Sequence, residues 1–190
     1  IAKKLGATAV VRTNDAQRGK GFALDFGLQT LRCDPPQIVI IIDADCTISE
    51  NLISQLACAC QLYLTPIQAL DLMVSPSLAS LKTKIAEFAW LVKNKVRPLG
   101  FKTLGLPCHL MGTGMAFLWA DIANMPLANG HIAEDMVLGV NLCRANKPAM
   151  FLPEVSVTSE FTSSSTTETT QRTRWEHGHL SIILSEAPSL

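Results

Sequence analysis

The chain has 190 residues, 48% of them apolar, with 16 Lys and Arg against 16 Asp and Glu, and a mean hydropathy of +0.25. That length suits one domain with a sizeable core, and the balanced charge excludes recognition of nucleic acid by net charge, so any anion site is local. No run of about 18 apolar residues is present, so no transmembrane helix is expected within the stretch, although the apolar composition predicts a surface that meets a partner.

The predicted elements alternate. Ala7 to Arg12 reads as a short strand. Arg18-Gly19-Lys20-Gly21 is a small basic turn that opens a helix with Phe22, Phe26 and Leu31 apolar, and Pro35-Pro36 ends it. Ile38 to Ile42 is a continuous β-branched run, the pattern of a strand buried on both faces. Ser49 is placed as the N-cap of a helix from Glu50 to about Tyr63. Ala69 to Val74 reads as a strand. A long helix is predicted from Leu78 to Val96, with Leu81, Ile85, Phe88, Ala89, Val92 and Val96 on one face and Arg97-Pro98 as its stop. Gly112 to Phe117 reads as a loop and then a strand, Glu134 to Ala145 as a helix before Pro148, and Phe151 to Val157 as a strand. A Ser/Thr-rich run, Thr162 to Thr170, predicts a surface loop, with a last helix from about Thr170. Strands alternating with helices imply an α/β domain with a mostly parallel central sheet.

Six cysteines, Cys33, Cys46, Cys58, Cys60, Cys108 and Cys143, form no C-x-x-C pair and are expected to be buried, reduced thiols. Ile1 is not an initiator Met, no signal peptide opens the chain, and an apolar stretch begins near Ser185 to Leu190. The expectation is one partial domain over residues 1–190.

Three motifs carry chemistry. Asp43-Ala44-Asp45 follows the apolar strand. Ligands of open α/β sheets bind beyond the carboxyl ends of strands, and two carboxylates at i and i+2 there can hold a hard divalent cation against a diphosphate. A pair of solvated loop acids is the plainer alternative. Glu134-Asp135 opens a helix, whose N-terminus is expected to keep a carboxylate ionised and so able to take a proton from a hydroxyl. Taken alone, the pair is better explained by simple helix capping by acids. Gln171-Arg172-Thr173-Arg174-Trp175 puts an amide, a guanidinium and an indole on one helical face, a set able to bond a sugar, neutralise a phosphate and stack on a sugar ring. Its plainer alternative is an amphipathic helix with one buried Trp. Lys20 in its basic turn suits an anion, and Gly112-Thr113-Gly114 permits close backbone approach to a ligand. His109, His131, His177 and His179 show no metal-ligand spacing.

In order, Lys20-Gly21, Asp43-x-Asp45, Gly112-Thr113-Gly114, Glu134-Asp135 and Gln171-x-x-Arg174-Trp175 resemble glycosyltransferase family 2, and most of all its membrane-bound, cellulose-synthase-like and exopolysaccharide branch. RGKGFALDFGL, VRPLGFKTLGLPCHLMGTGMAF and QRTRWEHGHL carry the likeness. The resemblance implies a GT-A fold with its N-terminal part missing, and inverting transfer from a nucleotide-diphosphate sugar, a UDP-sugar in most of the family, to a glycan or lipid-linked acceptor. It implies Mg²⁺ or Mn²⁺ at Asp43 and Asp45, with Asp45 the principal ligand. Lys20 and Arg174 would meet the donor's diphosphate, Asp135 would be the general base beside Glu134, and Gly112, Thr113, Gly114, Gln171 and Trp175 would border the acceptor. It further implies polysaccharide biosynthesis at the cytoplasmic face of the cell membrane, through membrane segments outside this chain, and weak nucleotide-sugar binding by this stretch alone. Ala133-Glu134-Asp135 stands where cellulose synthases have Thr-Glu-Asp, a departure that leaves cellulose open as the product.

Two other classes compete. IVIIIDADCT also fits the D-x-D-x-T opening of haloacid-dehalogenase-like phosphatases, with Asp43 as nucleophile, but that motif normally opens its domain and leaves Gln171 to Trp175 without a use. A truncated, non-catalytic module is the other, and a nucleotidyltransferase on a similar fold is a further enzyme alternative.

Overall fold

The computed structural model describes residues 2–14, 16–128, 130, 133–161 and 184. After a short 3-10 turn at Ala2–Leu5 come α1 (Lys20–Leu31), β1 (Ile38–Ile41), β2 (Thr47–Ile48), α2 (Leu52–Tyr63), β3 (Ile67–Val74), α3 (Leu81–Leu91), a π turn (Val92–Val96), α4 (Arg97–Thr103), β4 (Met115–Leu118), α5 (Trp119–Ile122), α6 (Glu134–Arg144) and β5 (Met150–Glu160). The five strands form one sheet in the order β1-β4-β3-β5-β2.

The sheet is mixed, not mostly parallel. β3 and β5 pair parallel, whereas β1 with β4, β4 with β3, and β5 with β2 pair antiparallel. The expectation rested on strands alternating with helices, and β4 breaks it by entering between β1 and β3 in the reverse direction. Among the described residues β1 is an edge strand, and its residues Ile38 to Ile40 are half-buried rather than covered on both faces. The register of β3 and β5 jumps between Ala69↔Leu152 and Leu70↔Ser156, where Pro153 offers no ladder donor.

β4 shows how the layers are divided. Met115 and Phe117 join a core with Leu28 of α1 and Leu138 and Leu142 of α6. Ala116 faces the other way, onto Leu52, Leu56 and Cys60 of α2. The period-2 alternation of the strand thus serves two helical layers. Fully burying Leu56 or Phe117 (both 0% exposed) stabilises the fold by roughly 1.5–3 kcal/mol each.

Several local expectations are corrected. Residues 7–12 form no strand and are almost wholly exposed. Ser49 is not the cap of α2. The cap is Asn51 in the left-handed region (φ 60°), while the Ser49 hydroxyl accepts from Ser156 N–H at 2.9 Å and ties β2 to β5. Pro98 does not end the long helix. Arg97 N–H bonds the Val92 carbonyl five residues back, and that widened turn lets the helix pass a proline near the start of α4. All six cysteines are free, but Cys33 and Cys58 are exposed. The Ser/Thr run, the last predicted helix with Gln171, Arg174 and Trp175, and His131, His177 and His179 lie outside the described residues.

Candidate active site

The sheet edge fixes the first part of the site. β1 and β4 run antiparallel with Ile41 opposite Met115, so the residues after β1 meet those before β4. Asp43 N–H donates to Thr113 Oγ1 at 3.1 Å. Gln68, wholly buried on β3, pins the same loop: its amide donates to the Thr113 carbonyl and accepts from Met111 N–H, both at 2.9 Å. Gly114 (φ 63°) packs so closely that a Cβ there would stand 3.1 Å from Ala69 and Val157. The sequence therefore needs glycine at this position for two reasons, backbone sign and space.

Lys20 enters from the first turn of α1. Its ammonium lies 2.5 and 2.7 Å from the two oxygens of Asp43 and 2.8 Å from the Gly112 carbonyl. Gly21 permits this, because a Cβ there would meet the Leu127 carbonyl at 2.4 Å. Asp45, two residues beyond Asp43, is exposed, with the Cys46 thiol 4.0 Å from its Oδ1.

Glu134 and Asp135 arrive on the first turn of α6. A Cβ on Gly112 (φ 89°) would lie 3.4 Å from both Asp135 Oδ2 and Lys20 Nζ, so the base candidate and the Lys20–Asp43 pair meet in the space that the missing side chain leaves open. Met136 N–H donates to Asp135 Oδ1 at 2.9 Å. Burial nevertheless raises the Asp135 carboxyl above its ordinary value, and that N–H, Lys20 and Lys93 only partly offset it. This corrects the expectation that the helix terminus governs its ionisation: desolvation outweighs the dipole. Glu134 is 8% exposed and is also raised, by burial first and then by the neighbouring Asp135 charge.

These residues line one cleft of about 220 Å³. Sequence reading missed part of its wall. Asp71 on β3 is 3% exposed and is pushed up to about 7 by burial, against the pull of Lys93 and the Trp90 indole. Asn94 Nδ2 donates to its Oδ2 at 3.0 Å. The Lys93 ammonium sits 5.1 Å over the Trp90 ring, a cation–π contact, and Trp90 meets Phe161 edge-on at 6.5 Å. Burial lowers the Lys93 ammonium. A signal for Asp71 did exist, a single acid in the apolar strand IQALDLMV. For Lys93 and Asn94 there was none, because the π turn that aims them has no sequence pattern. His109, set aside from the sequence, also lines the cleft and meets Arg97 at 3.3 Å.

The structure thus gathers Lys20, Asp43, Asp45, Gly112, Thr113, Glu134 and Asp135 at one cleft, with Gly114 behind them in the sheet. Gln171, Arg174 and Trp175 fall outside the described residues. A family model described as glycosyl transferase family group 2 matches residues 38–188, a span that includes the Asp43, Glu134-Asp135 and Gln171–Trp175 motifs. No curated protein matches the chain. The family's chemistry is sugar transfer, from a nucleotide-sugar donor to an acceptor, and its fold is GT-A, so the dehalogenase-like reading of Asp43 does not hold. The chain belongs to glycosyltransferase family 2.

Proposed function

We propose that the protein transfers a sugar from a UDP-sugar to a hydroxyl of a glycan or lipid-linked acceptor, with inversion, in extracellular polysaccharide biosynthesis at the cytoplasmic face of the cell membrane. One observation supports this reading above the rest: the Asp135 carboxylate and the Lys20–Asp43 pair share one space beside Gly112. A single displacement needs that arrangement, a base on the acceptor side and positive charge on the leaving-group side.

In the proposed step Asp135 takes the proton of the acceptor hydroxyl as its oxygen bonds the anomeric carbon. The bond from that carbon to the diphosphate oxygen breaks, and the nucleoside diphosphate leaves with the electron pair. A carboxyl raised by burial is a stronger base than an exposed one. Glu134 stands beside it on the first turn of α6 and lines the same cleft. Lys20 holds Asp43 in place and brings positive charge to the diphosphate, as Arg174 would from outside the described residues. Gln171 and Trp175 would complete the acceptor side with Gly112 to Gly114.

Mg²⁺ or Mn²⁺ fits the donor set. Among the described residues no group of three or more His, Cys, Asp or Glu forms a closed metal cage. Asp45 and Asp43 instead supply two hard carboxylates at an open edge, and such ions commonly take one or two carboxylates plus substrate phosphates. The exposed Asp45 would be the principal ligand, since Asp43 is already paired with Lys20. When bound, the ion supplies charge neutralisation at the diphosphate.

The test uses the full-length protein in membranes, with Mg²⁺ or Mn²⁺ and a panel of radiolabelled nucleotide-sugars. The expected result is that one donor is consumed into glycan or glycolipid, and that Asp135→Asn retains donor binding but loses transfer by roughly 10²–10⁴-fold. Consumption of no donor, or full transfer by Asp135→Asn, would overturn the reading.

A further inference from the structure

Asn94 offers the cleft a polar atom that the reaction above does not use. The residue is 1% exposed and lines the cleft. Its Nδ2 donates to Asp71 Oδ2 at 3.0 Å and, at 3.4 Å, to the Asp71 carbonyl. Those two acceptors fix which end of the amide is which, because the reversed amide would set its oxygen against both. Asn94 Oδ1 is thus turned away from Asp71, and among the described residues no group bonds it. A buried acceptor costs stability until a donor satisfies it.

The surroundings suit a sugar ring. Asp71 and Met73 lie at alternate positions of β3 and so share a face. Met73 stands opposite Ser159 of β5. The inward side of α3 and its π turn brings Trp90 and Lys93 to the same cleft. Between them an indole, a thioether, a hydroxyl, an ammonium and an amide oxygen can cover the apolar face of a ring and bond its hydroxyls.

This wall also lies where the transferred sugar has to be. Asp71 feels the charges of Asp43 and Lys20, on the side given to the diphosphate. Lys93 feels the charge of Asp135, the proposed base. In a single displacement the anomeric carbon stands between the leaving oxygen and the attacking hydroxyl held by that base. The sugar to which it belongs therefore lies along the wall that joins them.

We infer that Asn94 Oδ1 accepts a hydrogen bond from one ring hydroxyl of the donor's sugar, and that Asn94, positioned by Asp71, selects donors that carry this hydroxyl. An amide oxygen only accepts. A deoxy sugar would leave it unpaired, and a carboxylate at that position would set oxygen against oxygen. This selection rests on the proposed transfer and adds a group that its donor must carry.

The test is transfer by the full-length protein in membranes, with the nucleotide-sugar it consumes and the monodeoxy and deoxyfluoro analogues of that donor. Fluorine holds the place of a hydroxyl but removes its hydrogen. The expected result is one ring position at which both analogues lose roughly 10–100-fold in kcat/KM, the size of a hydrogen bond to a buried acceptor. In Asn94→Leu the parent donor should fall by a similar factor while the analogues at that position do not, so discrimination disappears there and stays at the other positions. Asp71→Asn still offers the amide an oxygen and should keep the discrimination. Asp71→Leu frees the amide to turn and should lose it, which checks the same point should Asn94→Leu fail to fold. Failure to consume any donor would overturn the transfer and this inference with it. Transfer in which the wild type uses every analogue equally, or in which Asn94→Leu is slower but discriminates as the wild type does, would overturn this inference alone.

Discussion

Asn94 Nδ2 donates to Asp71 Oδ2 at 3.0 Å across 23 positions of sequence. The contact joins the π turn to the middle of β3 and places an amide beneath a carboxylate that is almost fully removed from solvent. Such a group costs stability unless it is hydrogen-bonded or protonated, and this one is both partnered and raised to about 7.

That gives a pH signature in stability. Asp71 rises from 3.8 to about 7 in the folded chain, so between those values the folded state holds a proton that the unfolded chain has released. Stability falls as pH rises through this window, and the full cost stands above it. Asp71→Asn keeps an acceptor for Asn94 and removes the titration. Urea denaturation should show the variant gaining on wild type by roughly 2–4 kcal/mol between about pH 4 and about pH 8. A difference that stays flat with pH would refute it.

The sequence made this part of the cleft hard to see, and physical reasons explain which parts were easier. Asp43 and Asp45 were legible because a β-branched run ends in two acids, and Glu134-Asp135 because they open an amphipathic helix. Lys20 was assigned to an anion from its basic turn, but its pairing with Asp43 is a contact across 23 positions that no local pattern encodes. Helices α1, α2 and α6 and strands β3 and β5 appeared near their predicted places. The direction of β4 did not, since parallel and antiparallel pairing share the same period. The stripe from Leu81 to Val96 was correctly read as amphipathic, yet periodicity cannot say whether a face meets core or solvent.

Lys20→Met should separate positioning from folding. Its ammonium is the charged partner of Asp43 and also bonds the Gly112 carbonyl. Removing it frees the Asp43 side chain and takes a positive charge from the diphosphate side. Transfer should fall roughly 10–100-fold, with the donor KM rising, since a misplacement of about 1 Å has effects of this size. The thermal midpoint should move by a few degrees at most. Steady-state kinetics on membranes decide it, and an unchanged donor KM would count against the role.

Gly112 and Gly114 should respond differently to alanine. Both have positive φ, which costs a side chain about 1–2 kcal/mol. At Gly114 the new methyl also meets Ala69 and Val157 at 3.1 Å, inside the packed sheet, so the total loss of stability should reach roughly 2–4 kcal/mol. At Gly112 the neighbours are the ends of Asp135 and Lys20, each 3.4 Å away, and those can shift. Gly112→Ala should therefore stay folded but lose transfer roughly 10–100-fold. Thermal melts together with a transfer assay separate the two, and equal destabilisation by both substitutions would show that Gly112 is structural only.

Lys93 offers a test of the base through its pH profile. Its positive charge lowers the Asp135 carboxyl, opposing the burial that raises it. Lys93→Met removes that charge and leaves the burial, so the carboxyl should rise further. A base must be deprotonated to work, and the acidic limb of kcat/KM reports its pKa in the free enzyme. The limb should therefore move to higher pH in Lys93→Met, with activity recovering on the alkaline side, whereas Lys93→Arg should keep the wild-type profile. A purely structural role for Lys93 would lower activity equally at every pH. An acidic limb that moves to lower pH would contradict the sign of the interaction and remove Asp135 as the group that sets it.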